Sequence, residues 1–127
     1  MSVLIDSDVL VWLTRGHPAA AQRLKGINPW RISTVTYIEL AQGCRDQAEL
    51  ARLKKGLAVH NTEVLSLTPA ISQRASDLID ALALSHGLRL ADALIGATAL
   101  EHGLTLLTAN TKHFAPVQGL QLESFSA

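Results

Sequence analysis

Ser2-Val3-Leu4-Ile5-Asp6-Ser7-Asp8-Val9-Leu10-Val11-Trp12-Leu13 is the stretch whose reading decides the fold. An apolar run, Val3-Leu4-Ile5, stops at Asp6, and a second begins at Val9. Aliphatic and β-branched residues without polar alternation predict a strand buried on both faces, as in a parallel sheet. Asp8 reads as the N-cap of the following helix, with Val9, Leu10 and Leu13 facing inward. Asp6 is thereby left at the carboxyl end of a central strand, the edge at which open α/β sheets bind ligands. A buried carboxylate there needs a partner, because an unpaired buried charge is costly.

Outward from this stretch, strands and helices alternate. Pro18 suits the first turn of a helix that runs to about Lys25 and ends at Gly26. Residues 30–34 read as a second strand. Thr36 and Glu39 have capping-box spacing and predict a helix ending near Gly43. Ala48 to Val59 is amphipathic, with Leu50, Leu53 and Leu57 on one stripe. Residues 64–67 form a third strand, and Thr68-Pro69 opens a long helix with Ile71, Ala75, Leu78, Ile79 and Leu82 inward. His86-Gly87 and His102-Gly103 are matching helix ends, polar ring then left-handed glycine, and carry no metal-ligand spacing. Leu90 to Leu100 is a helix with Leu94, Ile95 and Ala99 inward. Thr105 to Thr108 is a fourth strand, and residues 121–123 are a weak fifth at the edge. This order predicts a mostly parallel sheet covered on both sides, with right-handed crossovers placing the strand C-termini together.

The 127 residues suit one domain, 1–127, and the 48% hydrophobic content can fill a core built from aliphatic residues, since only 4% are aromatic. No apolar run approaches the roughly 18 residues of a membrane span. Asp6 and Asp8 stand where a secretory leader would have its basic and apolar parts, and the single Cys44 cannot form an internal disulfide. The expectation is a cytoplasmic protein with no membrane contact and Cys44 as a small buried residue. Eleven basic residues balance eleven acidic ones, which argues against broad charge-driven nucleic-acid binding but leaves room for metal ions that handle phosphate locally. Arg52, Lys54 and Lys55 read as a solvated helix face. A mean hydropathy of +0.22 suggests that another chain covers some helix surface, with Trp12, Trp30 and the Leu50–Leu57 stripe as candidates beside ordinary core packing.

Asp6, Glu39 and Asp92 are the candidate catalytic and metal-binding residues. Each has an ordinary alternative: Asp6 as a turn residue, Glu39 as half of a capping box, Asp92 as a first-turn acid favoured by the helix dipole. Together, each follows or opens an element that points to the same sheet edge. Gly96, one turn after Asp92, leaves that face bare for close approach by a backbone or ligand. Three carboxylates close together repel, and a divalent cation relieves the repulsion. Oxygen ligands without cysteine or spaced histidine select Mg²⁺ or Mn²⁺ over zinc.

Four segments, Leu4-Ile5-Asp6-Ser7-Asp8-Val9-Leu10, Tyr37-Ile38-Glu39-Leu40, residues 90–99 around Asp92, and Leu107-Thr108-Ala109-Asn110-Thr111-Lys112-His113-Phe114, resemble the motif series of PIN-domain ribonucleases. The nearest subgroup in length and wording is the VapC-type toxins of bacterial toxin–antitoxin pairs. The resemblance spans essentially the whole chain. It implies a three-layer α/β/α sandwich around a mostly parallel four- to five-stranded sheet, Mg²⁺-dependent endonucleolytic cleavage of RNA leaving a 5′-phosphate, a homodimer or higher toxin–antitoxin assembly, and a VapB-like antitoxin whose C-terminal segment lies in a groove by the active site. Asp6, Glu39 and Asp92 match the family's metal-binding acids. Asp6 and Asp92 would bind the ion directly, and Glu39 directly or through a water. Asn110 falls where many members carry a fourth acid, and His113 where an acid is frequent, which puts a complete second metal site in doubt. Ser7, Thr108 and Asn110 are candidates for contacts to metal-bound water or phosphate, and Asn110 reads equally well as a turn cap. Two other classes stand beside this one: a catalytically silent binding module of the same fold, and a phospho-accepting receiver domain, against which the mid-chain strand ending in Thr68-Pro69 offers no acceptor aspartate.

Overall fold

The computed structural model describes residues 2–126. Its elements run β1 (Val3–Ile5), α1 (Ser7–Thr14), α2 (Pro18–Leu24), β2 (Arg31–Ser33), α3 (Thr34–Gln42), α4 (Gln47–Val59), β3 (Glu63–Leu65), α5 (Pro69–His86), α6 (Leu90–His102), β4 (Thr105–Thr108), α7 (Thr111–Phe114) and β5 (Leu122–Ser124). All recorded strand pairs are parallel: β1 with β4, β4 with β5, and β2 with β3. The expected single sheet of four to five strands is corrected. A three-stranded ladder, β1-β4-β5, and a two-stranded one, β2-β3, form instead, with β2 packed beside β1 without a ladder. The strands are only three or four residues long, so small divergence between β1 and β2 removes the few hydrogen bonds that would join them.

Burial on both faces of β1 follows from the pleat, which sends alternate side chains to opposite sides. Val3 and Ile5 enter one core cluster with Leu10, Leu24, Ile32, Leu57 and Leu107, facing α1, α2 and α4. Leu4 enters another with Leu106, Ile95, Ala99 and Phe114, facing α6 and α7. α5 packs along α6 through Ile71, Ala75, Leu88 and Ala93, with Leu78, Ile79 and Leu82 at its margin. The expected inward stripe of α5 thus lies in the core. Leu4, Ile5, Leu106 and Leu107 are fully enclosed, and each contributes roughly 1.5–3 kcal/mol by burial.

Two expected caps are corrected. Asp6, not Asp8, is the N-cap of α1, accepting from the Ser7 amide, so Asp8 lies in the first helical turn. Ser33, not Thr36, caps α3, its side chain accepting from the Val35 amide at 3.0 Å. In both places the strand passes into the helix with one residue or none between, so the polar residue closest to the strand takes the cap. Glu39 is consequently in the second turn of α3 with no capping role. Thr68 caps α5, and Gly87 and Gly103 close α5 and α6 in the left-handed region, φ 70° and 63°, as expected. Cys44 is half-buried rather than buried, its thiol donating to the Leu40 carbonyl. No helix among the described residues is long and apolar enough to cross a membrane.

Gly96 also departs from expectation. It is buried, and a Cβ there would touch Leu120 and Phe114 at 3.8 Å, so apolar side chains rather than a ligand fill the space it leaves. An added methyl meets ordinary contact and removes a helix-interior glycine, so Gly96→Ala should be neutral or stabilising by up to about 1 kcal/mol. Gly87→Ala, with no atom within 4 Å but a left-handed φ, should lose about 1–2 kcal/mol from backbone strain alone. Urea unfolding of the two variants checks this pair; equal losses at both positions would contradict it.

Candidate metal centre

The β1–β4 register builds the site. Ile5 is paired with Leu107, so Asp6, the first residue past β1, lies beside Thr108, the last residue of β4. The Asp6 amide donates to the Leu107 carbonyl at 2.9 Å, and the Thr108 hydroxyl donates to Asp6 Oδ2 at 2.8 Å. Asp6 Oδ1 accepts from the Ser7 amide at 2.8 Å. Thr108 is completely buried and Asp6 nearly so, at 6% exposure.

Ser7 links this pair to α3. Its hydroxyl lies 3.5 Å from Asp6 Oδ1 and donates to Glu39 Oε1 at 3.0 Å. Asp8 adds a further carboxylate. Its Oδ2 accepts from the Asn110 side-chain amide at 2.9 Å, the Ala109 amide at 3.1 Å and the Thr108 hydroxyl at 3.3 Å. Asn110 therefore anchors Asp8, and its own backbone amide donates to Thr108 Oγ1 at 3.0 Å. It begins α7 without a side-chain cap bond.

Of the acids singled out in the sequence, Asp6 and Glu39 meet through Ser7. Asp92 occupies the first turn of α6, half-buried, and makes no hydrogen bond or ion pair with the others among the described residues. Its helix packs against α3 and β4, the elements that carry Glu39 and Thr108. Asp8 has only a capping role in the sequence pattern, and the structure brings it beside Asp6 through the shared Thr108 hydroxyl. Its signal was the Asp-x-Asp spacing across a strand end, which the capping assignment absorbed.

The electrostatics are those of crowded acids. Burial, and then the charges of Asp8 and Glu39, push the Asp6 carboxyl up to about 7, against the opposing hydrogen bonds from Thr108 and Ser7. Burial likewise raises Asp8. Both acids stand at the N-terminus of α1, whose dipole favours anions, yet desolvation outweighs it. None of the ion pairs among the described residues involves Asp6, Asp8, Glu39 or Asp92. Asp8 Oδ1 is buried with no hydrogen-bond partner. A hard dication fits this donor set, since it would offset the charge and engage the orphaned oxygen with oxygen ligands alone. Among the described residues no group of three or more His, Cys, Asp and Glu side chains is gathered as a ready ion cage; unneutralised carboxylates repel one another.

A groove of about 880 Å³ borders the acids at Ser7 and Glu39 and runs between α1, α3 and α4. Leu10, Leu13, Leu40, Leu53 and Leu57 line it, with Arg15, Arg52 and His60 among its polar residues. Trp30 is core, stacked on the His60 ring at 3.7 Å, and Trp12 is half-buried against His17.

The PIN-domain family model matches residues 3–120. A solved toxin–antitoxin complex from Klebsiella pneumoniae contains a chain with 30% identity and a TM-score of 0.82, covering 98% of each chain. VapBC-1 from nontypeable Haemophilus influenzae matches with 24% identity and a TM-score of 0.80 over 100% of both chains. VapBC2 from Rickettsia felis, solved with a promoter DNA fragment, matches with 21% identity and a TM-score of 0.80 over 99% of this chain and 100% of that one. The last two show the fold alone. A search of curated proteins finds no match.

The Asp6 carboxyl fixes a pH dependence. Folding moves its pKa from 3.8 to about 7, so the folded chain holds the proton longer than the unfolded one. Stability of divalent-free protein is then greatest below about pH 4 and falls as pH rises to about 7, by on the order of 4 kcal/mol at most. Denaturation measured between pH 4 and 8 in chelator should show this decline, and Asp6→Asn should flatten it. An unchanged slope in the variant would contradict the burial of a charge-bearing Asp6.

Proposed function

From the premise that the chain belongs to the PIN-domain family, we propose that it is a metal-dependent endoribonuclease, the VapC-type toxin of a toxin–antitoxin pair. The observation that carries this reading is the meeting at one sheet edge of Asp6, buried and held by Thr108, and Glu39, joined to it through Ser7. The match to a chain of a toxin–antitoxin complex at 30% identity over nearly the whole length supports the toxin assignment. Net charge zero fits a nuclease that manages phosphate charge locally rather than over a basic surface.

Asp6, Glu39 and Asp92 would hold Mg²⁺, with Mn²⁺ as a substitute. When bound, the ion supplies positive charge against a scissile phosphate and acidifies water for hydrolysis. The chain's own residues prepare that site. Thr108 fixes the rotamer of Asp6 through a buried hydrogen bond, and Ser7 holds Glu39 toward Asp6. Burial of Asp6 excludes competing water and favours exchange of its proton for a cation near neutral pH. The apolar groove bordering Ser7 and Glu39 suits an amphipathic segment of the antitoxin, which would reach the acids from it.

The test is cleavage of structured RNA by purified protein. Activity should require Mg²⁺ or Mn²⁺ and vanish with chelator. Asp6→Asn, Glu39→Gln and Asp92→Asn should each lose at least about 100-fold, and Thr108→Val about 10–100-fold. The small protein encoded beside it should copurify and inhibit. Full activity in Asp6→Asn, or in chelator, would refute the assignment. Dication binding without cleavage of any RNA would leave a PIN-fold binding module as the reading.

A further inference from the structure

The groove between α1, α3 and α4 carries charge that the folded chain does not pair. Arg15, Glu39, Glu49 and Arg52 line it. Glu39 accepts from Ser7 at the candidate centre. Glu49 is held by Arg45, whose guanidinium donates to Oε2 and whose backbone amide donates to Oε1. Arg15 and Arg52 belong to none of the ion pairs among the described residues. Arg15 lies over the Trp12 ring at 5.7 Å. Arg52 is exposed on α4, close enough to act on the charge of Glu49 without pairing with it. Two arginines without an acid of their own therefore border an apolar groove.

Gly56 is a second, independent observation. It lies inside α4, where glycine weakens a helix. It lines the groove four residues from both Arg52 and His60, which line it too, so the three share one face. No atom lies within 4 Å of the place its Cβ would take, so packing within the chain does not call for glycine there. Bare helix backbone at that point lets another chain come closer than a side chain would allow.

The walls indicate what comes. Leu10, Leu13, Leu40, Leu53 and Leu57 suit the apolar face of an amphipathic segment. An RNA strand fits them less well. Trp30 is the only Phe, Tyr or Trp in the lining, and it is core, covered by the His60 ring, so bases gain no stacking platform from it. Resting on the reading of the chain as the toxin of a pair, we propose that this groove selects an acidic amphipathic segment of its protein partner, packed over the bare backbone of Gly56, with its carboxylates paired to Arg15 and Arg52. The arginines then set which partner is accepted, and the leucines supply contact that any apolar segment could use.

The experiment measures the affinity of the purified full-length chain for the small protein encoded beside it, by calorimetry in low salt and in about 1 M salt. Native chain should bind, and more weakly in high salt. Arg15→Gln and Arg52→Gln should each weaken binding about 10-fold in low salt and about twofold or less in high salt. Lys54→Gln/Lys55→Gln, exposed on α4 and outside the groove lining, should bind within about twofold of native. Gly56→Gln should unfold at a Tm equal to or above native, yet bind about 10-fold or more weakly. Native affinity in the arginine variants, or an equal loss in the lysine variant, overturns the proposal while the toxin reading stands. Native affinity in Gly56→Gln overturns it too. Arginine variants that keep native affinity for the small protein but lose RNA cleavage assign both side chains to the substrate strand and likewise overturn it. No binding by the native chain overturns the toxin reading and the proposal together.

Discussion

The hydrogen bond from Thr108 to Asp6 is the contact around which the site is assembled. It can form only because β1 and β4 pair in parallel with Ile5 opposite Leu107. A slip of one residue would turn Ile5 out of its cluster and carry Asp6 to the wrong face. The core therefore sets the geometry of the candidate site: the burial of Val3, Leu4, Ile5, Leu106 and Leu107 fixes the register, and the register fixes which two polar side chains come together. Parallel pairing throughout, with helices on both faces, then puts the ends of β1 and β4 and the starts of α1 and α7 on the same edge.

The charge distribution follows from that geometry. Asp6 is held by hydrogen bonds that favour its anion, yet burial and its acidic neighbours still raise its pKa to about 7. The fold has thus placed a carboxylate largely out of reach of water, with no basic side chain among the described residues paired with it. Such an arrangement opposes stability and makes sense as a site that a cation completes. Several acids elsewhere are paired with arginine, Glu123 with Arg23, Glu63 with Arg31, Glu49 with Arg45 and Glu101 with Arg74, whereas Asp6 has only hydrogen-bond donors and other acids beside it.

Much of this was legible in the chain. Unbroken aliphatic runs gave the buried strands, and glycines after His86 and His102 gave two helix ends, because those signals depend on a few adjacent residues. Asp6 stood out because a buried strand end has little use for an acid, whereas Glu39 and Asp92 each had an ordinary helix-start explanation and became candidates only jointly, with Asp6 and the motif series. The cap assignments at Thr36 and Asp8 failed for one reason: in a chain that passes directly from strand to helix, several polar residues can cap, and tertiary packing chooses the first. The break between β1 and β2, the apolar filling around Gly96 and the grip of Asn110 on Asp8 depend on residues far apart in sequence. Single-chain patterning carries no trace of them.

The central claim is that acids from separate elements share one hard cation at the carboxyl edge of β1. Diffraction at a wavelength that excites manganese, from crystals grown or soaked in Mn²⁺, tests it most directly. The account predicts an anomalous peak bounded by Asp6, Glu39 and Asp92 beside the Thr108 hydroxyl. Ordered crystals with no peak at that edge, or with manganese bound only elsewhere, would contradict it.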